Sequence, residues 1–592
     1  MKLLEKLTQT IQRNVLYLPF IADKSMQKRW VEQEIKNPEA VERLTQELQI
    51  DASLAKILVN RGITTFEDAR CFFRPDLCHL HDPFLMKDME PAIKRIEQSI
   101  YKEEKVLIYG DYDVDGTTAV ALVYGFFRKY HKRLDFYIPD RYKEGYGIST
   151  EGIDYAAQHG FTLIIALDCG IKSIDKVSYA SSLGIDFIIC DHHFPGDEIP
   201  AAVAVLDPKR KDCEYPYKEL SGCGLGFKLI QAYTQKNDIS FEHIECYLDL
   251  VAISIASDIV PITGENRVLA AYGLKRLNKN PCTGVKALID LAGQKDNFTI
   301  SDIVFMIGPR INAAGRIDDA KHSVHLLIAD NHVTARERGE LINIKNTERK
   351  GHDMLITEQA LAQLDANPAL AKRKTTVVFD ENWHKGVIGI VASRLTEKYY
   401  RPTIVLTKSN GHVAGSARSV MGFDLYEALS SCSDLLEQFG GHKYAAGLTL
   451  KPENIPAFQQ RFEEVVAATI ADELLIQEIS IDTIIKLKHI TPKFYRVLSQ
   501  FGPFGPLNMV PIFLTANVYT FGSASIVGSN HLKMTVKQED SNLFECIGFG
   551  LGEYLPLINK GLPFTMCYTV EENVWKEKRS IQLCVKGIRK AS

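Results

Sequence analysis

The chain has 592 residues, 45% of them hydrophobic and 24% charged, with a net charge of −4. That length exceeds one hydrophobic core and implies roughly three or four domains, while the composition excludes a disordered or fibrous chain. The charge balance does not mark a nucleic-acid binder by itself, because a basic patch can hide inside a near-neutral total.

The twelve cysteines form no C-x-x-C pair, which argues against a zinc ribbon or a dithiol redox motif and fits a reducing cytoplasm. Met1 to Lys6 interleaves Lys2, Glu5 and Lys6 with leucines and lacks the apolar run of a secretion signal. No membrane span is expected: the most apolar stretch, Leu248 to Val260, is broken by Asp249, Ser254, Ser257 and Asp258.

In chain order, residues 1–95 read as an N-terminal helical region rich in Glu, Lys and Leu. Residues 96–265 change to short apolar runs separated by helical segments: Val106 to Tyr109, Phe136 to Ile138, Leu163 to Leu167, Phe187 to Cys190 and Val203 to Leu206. That alternation predicts an α/β domain with a mostly parallel sheet covered on both faces. Residues 266–370 form a helical connecting region, whose charged segment Thr334 to Leu364 reads as a solvated helix. A second α/β unit, 371–465, begins with Val377 to Phe379. In 466–592 the alternation of Leu532, Met534 and Val536 with Lys533, Thr535 and Lys537 predicts a small β-barrel or sandwich.

The sharpest local feature is Gly110-Asp111-Tyr112-Asp113-Val114-Asp115-Gly116, directly after the first of those strands. Three carboxylates in five residues repel one another and call for a cation, and hard oxygen ligands suit Mg²⁺, Mn²⁺ or Ca²⁺. An EF-hand fails on two counts, since the twelfth loop position is Leu122 and a strand precedes the loop. Asp168 and Asp191 end two further strands, and in an open parallel sheet the carboxyl ends of strands share one ligand-binding edge. Asp191 continues into His192 and His193, where imidazole favours Mn²⁺ or another borderline metal, and Asp258 closes an apolar helical stretch. Singly, each of these is a cap or a surface residue; together they make a metal site.

These residues resemble the DHH phosphoesterase superfamily, named for the tripeptide Asp191-His192-His193, and within it the RecJ family of single-strand-specific exonucleases. The resemblance is carried by Gly110–Ala119, Leu167–Gly170, Cys190–His193 and Ala256–Asp258, with further family segments at Arg141–Gly147 and Gly308–Ala320. Trp383–Arg394, Gly415–Ser419 and Phe439–Gly447 are similar to the DHH-associated domain, and the last section to an oligonucleotide-binding fold.

The resemblance implies that Asp111, Asp113, Asp115, Asp168, Asp191, His192, His193 and Asp258 hold two divalent ions, Mn²⁺ or Mg²⁺, with Asp113, Asp168, both histidines and Asp258 also catalytic. His193 is open between ligation and a role outside the coordination shell, either orienting a ligand or protonating the leaving group. It further implies 5′ to 3′ hydrolysis of single-stranded DNA to mononucleotides in recombination and repair, beside a single-strand-binding protein and a helicase. Substrate contacts are expected from Arg141, Arg310, Arg316, Gly415, Ser416, Arg418, Gly441 and His442, with Gly415–Arg418 and Gly440–His442 read as turns. A phosphodiesterase acting on short RNA or cyclic dinucleotides is the alternative, and residues from about 475 onward discriminate, since those relatives manage without the β-rich extension. A repair scaffold that has lost activity is a second class, but every expected ligand is present.

Overall fold

The computed structural model describes residues 28–591 apart from 294, 296, 576 and 577, so the first 27 residues of the expected N-terminal helical region lie outside the described residues. The described residues divide into two compact units, one comprising 28–73, 476–502 and 509–591, the other 74–475 and 503–508. The first unit opens with a short strand, β1 (Arg29–Glu32), which the helical expectation did not include. The helices Pro38–Leu48, Ala52–Asn60 and Phe66–Phe73 follow. Asn37 and Asp51 cap the first two, accepting from the amides of Ala40 and Ser53.

The second unit holds two sheets. Strands β2 (Lys105–Gly110), β3 (Leu134–Tyr137), β4 (Phe161–Leu167), β5 (Asp186–Cys190) and β6 (Ala204–Leu206) form a wholly parallel sheet in the order β3-β2-β4-β5-β6. Alternate residues enter different cores: Val106, Ile108, Leu163 and Ile165 pack on one face, and Leu107, Tyr109, Ile164 and Ala166 on the other. Burial on both faces is why these strands are continuous apolar runs. The order also contains the reversal at which ligands gather, because β2 has β3 on one side and β4 on the other.

The second sheet is β10-β11-β9-β8-β7, from β7 (Thr376–Phe379), β8 (Thr403–Ser409), β9 (His412–Arg418), β10 (Gln438–His442) and β11 (Ala445–Leu450). Only β7 and β8 pair in parallel. The helix His332–Ala366 runs between the two sheets in sequence. It is not simply solvated: Ala335, Gly339, Ile342, Asn346, Arg349, Asp353 and Ile356 lie on a buried stripe.

In the first unit the chain resumes with β12 (Glu478–Ile481), parallel to β1, and β13 (Thr483–Ile484). The barrel-like sheet continues with β14 (Phe513–Thr520), β15 (Ser525–Val527), β16 (His531–Lys537), β17 (Phe544–Gly548), β18 (Phe564–Trp575) and β19 (Lys578–Lys590), in the order β13-β14-β18-β19-β17-β16-β15. A further short pairing of β14 with β16 curls it round on itself. Leu532, Met534 and Val536 point inward, as their alternation predicts. Among the described residues no helix is long and apolar enough to cross a membrane.

Candidate active site

The acids arrive at one sheet edge because the strands are parallel. Asp111 follows the last residue of β2, and two residues on Asp113 caps the Val114–Phe127 helix by accepting from the Gly116 amide at 3.0 Å. Gly116 is obligatory in that turn, since a Cβ there would lie 2.4 Å from the Asp111 carbonyl oxygen. Asp168 follows β4 in the left-handed region, φ 61°, and its amide donates to the Cys190 carbonyl at 2.9 Å. A non-glycine residue held there costs of order 1–3 kcal/mol, a strain that clusters at functional sites. Asp191 follows β5, and Asp258 ends the Leu248–Ser257 helix.

His192 is the point of convergence. Its Nε2 lies 3.1 Å from Asp168 Oδ1, 3.6 Å from Asp258 Oδ2 and 3.7 Å from Asp115 Oδ2. Among the described residues, two groups have potential ligand atoms within 4.8 Å of one another: Asp168 with His192 and His193, and Asp115 with His192 and Asp258. Asp111 Oδ2, Asp168 Oδ1 and both ring nitrogens of His192 are buried without a hydrogen-bond partner. Native interiors pair such atoms, so these need a ligand. Clustered carboxylates and imidazole are the donor set of a divalent cation, and they fit two Mn²⁺ or Mg²⁺ ions.

The protonation balance agrees. Burial first, then the neighbouring acids, hold the carboxyls of Asp111 and Asp168 well above the usual carboxylate range. Asp113 is also raised, by burial and by Asp115, and the same causes push Asp258 up to about 8. Without cations the cluster keeps protons; cations replace them.

Asp115 and Asp191 are anchored differently. Asp115 accepts the Gly222 and Cys223 amides at 2.7 Å each, at the start of the Gly222–Lys236 helix, and the Ser254 hydroxyl at 2.6 Å. A helix N-terminus presents free amides and a favourable dipole to a carboxylate. Both Asp191 oxygens take donors from the chain: Oδ1 from the His192 and His193 amides at 2.8 and 3.2 Å, Oδ2 from the Ile171 amide at 2.9 Å. His193 Nδ1 also meets Asp191 Oδ1 at 2.7 Å. Burial pushes the Asp191 carboxyl up, but the His193 bond and charge outweigh it and hold the carboxyl below its usual value. The same bond raises His193 against the effect of burial, whereas burial lowers His192.

A second feature is a cavity of about 400 Å³ lined by Tyr112, Arg141, Arg316, Lys385, Ser416 and Arg418, among others. Ser416 and Arg418 are two residues apart on β9, so they share one face of a strand. This corrects the expected Gly-Ser-x-Arg turn. Gly415 is needed for packing rather than turning, because a Cβ there would sit 2.6 Å from Leu406. Burial lowers the Arg316 guanidinium to about 9, helped by Arg141, Arg349 and Arg418. Arg418 is likewise lowered by burial and then by Arg141. Three arginines brought together around one cavity offer charge and planar N–H forks to an anion.

Two other expectations change. Gly440–His442 is an edge strand, β10, with its turn at Lys443–Tyr444, because the Phe439–Gly447 segment pairs with itself across that turn. Gly440 lines the cavity. Burial and then His193 and Lys172 lower His442, which puts its ring within electrostatic reach of His193. Arg310, expected on the substrate, does not line the cavity. Its guanidinium donates to Asn343 Oδ1 and to the Met306 and Leu291 carbonyls at 3.1, 2.5 and 3.2 Å.

Sequence reasoning missed Tyr146, whose hydroxyl meets His193 Nε2 at 3.0 Å and the Asp168 carbonyl at 3.4 Å. It also missed Tyr112, which carries the Arg141 guanidinium 4.8 Å from its ring centroid. Lys385 and Tyr146 stood inside recognised motifs but had no spacing that marks a site. The Gly222 and Cys223 amides carry no residue-type signal at all.

Family comparison settles the wider identity. The model for the DHH family, N-terminal domain, matches residues 105–255, the DHHA1 domain 372–468, and the RecJ OB domain 481–587. The single-stranded-DNA-specific exonuclease RecJ of Bacillus subtilis is 38% identical over 565 residues, covering 94% of this chain and 70% of that protein. The chain belongs to the RecJ family. The Escherichia coli RecJ is 32% identical over 526 residues, covering 85% of this chain and 90% of its own. The crystal structure of Thermus thermophilus RecJ in complex with Mn²⁺ superposes with a TM-score of 0.82 at 25% identity, over 95% of this chain and 80% of that one.

Proposed function

We infer that the chain is a metal-dependent exonuclease specific for single-stranded DNA, releasing 5′ mononucleotides by phosphodiester hydrolysis in DNA recombination and repair. The convergence of Asp115, Asp168 and Asp258 on His192 Nε2, beside buried oxygens without partners, carries the chemistry. Membership of the RecJ family carries the substrate.

Asp111, Asp113, Asp115, Asp168, His192 and Asp258 are the proposed ligands of two divalent ions. When bound, such ions supply Lewis acidity toward the phosphoryl and leaving oxygens and a nucleophilic water at neutral pH. Asp191, with both oxygens already occupied, is the orienting carboxylate: it fixes the His193 ring through Nδ1 and the following backbone through its amides. His193 then presents Nε2, shared with the Tyr146 hydroxyl, toward the Asp168 side, where it positions the scissile phosphate or hands a proton to the leaving oxygen.

The arginine-lined cavity is the proposed seat of the 5′-terminal phosphate. Arg141, Arg316 and Arg418 would neutralise it, with Ser416 donating, so one end of the strand is held while hydrolysis occurs a nucleotide away. The RecJ OB domain is the single-strand-binding module; its exposed Tyr519, Phe521 and Phe549 are candidates for base stacking. A single-strand-binding protein and a helicase are the proposed partners, and the cytoplasm the proposed compartment.

The test is direct degradation of 5′-labelled single-stranded DNA, short RNA and cyclic dinucleotides with Mn²⁺. Mononucleotide release from DNA is expected; cleavage of RNA or cyclic dinucleotides with none from DNA would overturn the reading.

A further inference from the structure

Phe194 directly follows His193, yet 72% of it is exposed. A single exposed apolar side chain is ordinary on a protein surface; this one stands out because its ring is fixed beside a charged site. It is held in place: the Lys209 ammonium lies 5.0 Å from the ring centroid on one face. Lys209 is itself fixed. Its amide donates to Asp207 Oδ1 at 2.7 Å, and its ammonium meets Glu219 at 3.3 Å. Asp207 is fully buried at the end of β6. The Lys209 charge also bears on Asp258 and His192, which sets this pair at the border of the metal cluster.

The strand order gives the pair a direction. Arg141 follows β3 at one margin of the sheet; the acids follow β2, β4 and β5; Phe194 and Lys209 follow β5 and β6 at the other margin. Adjacent strands are about 4.8 Å apart, so phosphate cavity, metal cluster and aromatic ring succeed one another across the edge. A strand with its 5′ phosphate among the arginines and its first internucleotide phosphate at the cluster carries its next base toward Phe194.

We propose that Phe194, backed by Lys209, is a stacking platform for the nucleobase on the 3′ side of the scissile phosphate. The platform accepts any base, because every base offers a π-face. It holds the nucleotide that becomes the new 5′ terminus. The Lys209 ammonium fixes the ring through its quadrupole on one side and leaves the other for the base. The proposal rests on the 5′-exonuclease reading above.

The experiment measures single-turnover release of the first nucleotide from 5′-phosphorylated oligonucleotides, each with one abasic position among the first four. In the wild-type enzyme, base loss at the second position slows release by about ten-fold, the lower part of the range for one base–aromatic stack. Phe194→Ala slows intact DNA by the same factor and becomes insensitive to base loss at that position only, while Phe194→Trp restores both rate and sensitivity. No wild-type loss at the second position, retained sensitivity in Phe194→Ala, or an equal change at all four positions overturns the platform. Release from no DNA at all would overturn the exonuclease reading itself.

Discussion

Replacing Arg418 by alanine isolates the end-recognition function from the hydrolytic one. Arg418 Nη1 is committed to Ser416 Oγ at 3.2 Å and to the Ala417 carbonyl at 2.8 Å, and the side chain faces a cavity shared with Arg141 and Arg316. A hydrogen bond to a charged group contributes about 1.5–3 kcal/mol, which converts to about 10- to 150-fold in kcat/KM for a 5′-phosphorylated substrate. A 5′-hydroxyl substrate never makes the contact, so its kcat/KM should change by less than about three-fold, well under one such bond. The preference for a 5′ phosphate therefore collapses although hydrolysis survives. Arg418→Lys keeps a charge but loses the planar fork and should fall between. Thermal stability of the free protein should not drop, because the change relieves repulsion on Arg316, which Arg418 helps lower to about 9. Kinetics on paired oligonucleotides differing only at the 5′ end decide it. An unchanged ratio between the two substrates would refute the assignment of the cavity.

Asp168→Ala removes a buried carboxylate from the convergence point and should lower nuclease activity by more than about 100-fold, beyond the loss typical of a residue that only supports a ligand; gel assays with excess Mn²⁺ test this. Gly222→Ala changes no ligand, but its Cβ would lie 2.6 Å from the Asp168 Cβ, so Mn²⁺ affinity measured by calorimetry should weaken by about 10- to 100-fold. Loading the site should release protons: Asp258, near 8, and Asp111, Asp113 and Asp168, all raised, bind more protons in the folded protein than in the unfolded chain. In chelator, stability should thus fall as pH rises from about 4 through 8, and added Mn²⁺ should raise the Tm more at pH 8 than at pH 6. A Tm increment independent of pH would mean that these acids are already ionised in the free protein. Gly441→Ala meets a backbone φ of 145° and a Cβ position 2.4 Å from the Ala445 carbonyl oxygen, so the β10–β11 hairpin should be destabilised, read by faster amide exchange in Gln438–Leu450.

What the sequence alone determined is which acids and histidines follow the strands of one parallel sheet, and the architecture around them. Apolar runs ending in Asp111, Asp168 and Asp191 announce a parallel sheet whose strand ends share one edge, because a doubly covered strand must be apolar along its whole length and its first polar residue falls where the strand leaves the core. The alternation in β16 announced the β-rich last section for the complementary reason.

Tertiary structure alone decided the finer roles. Asp191 and Asp115 are both aspartates near strand ends, and nothing in their neighbours separates them from Asp168. Only the folded chain shows that Asp191 is saturated by amides and His193, that Asp115 leans on the Gly222–Lys236 helix, and that Asp168 keeps an oxygen free. Arg310 and Arg316 stand six residues apart in one motif, yet one packs against backbone carbonyls and the other faces the cavity. Local spacing sets which residues share a strand edge or a helix face. Which of them retains an unsatisfied donor, acceptor or charge depends on partners a hundred or more residues away, as when Ser254 closes on Asp115 or Ser416 and Arg316 come to line one cavity.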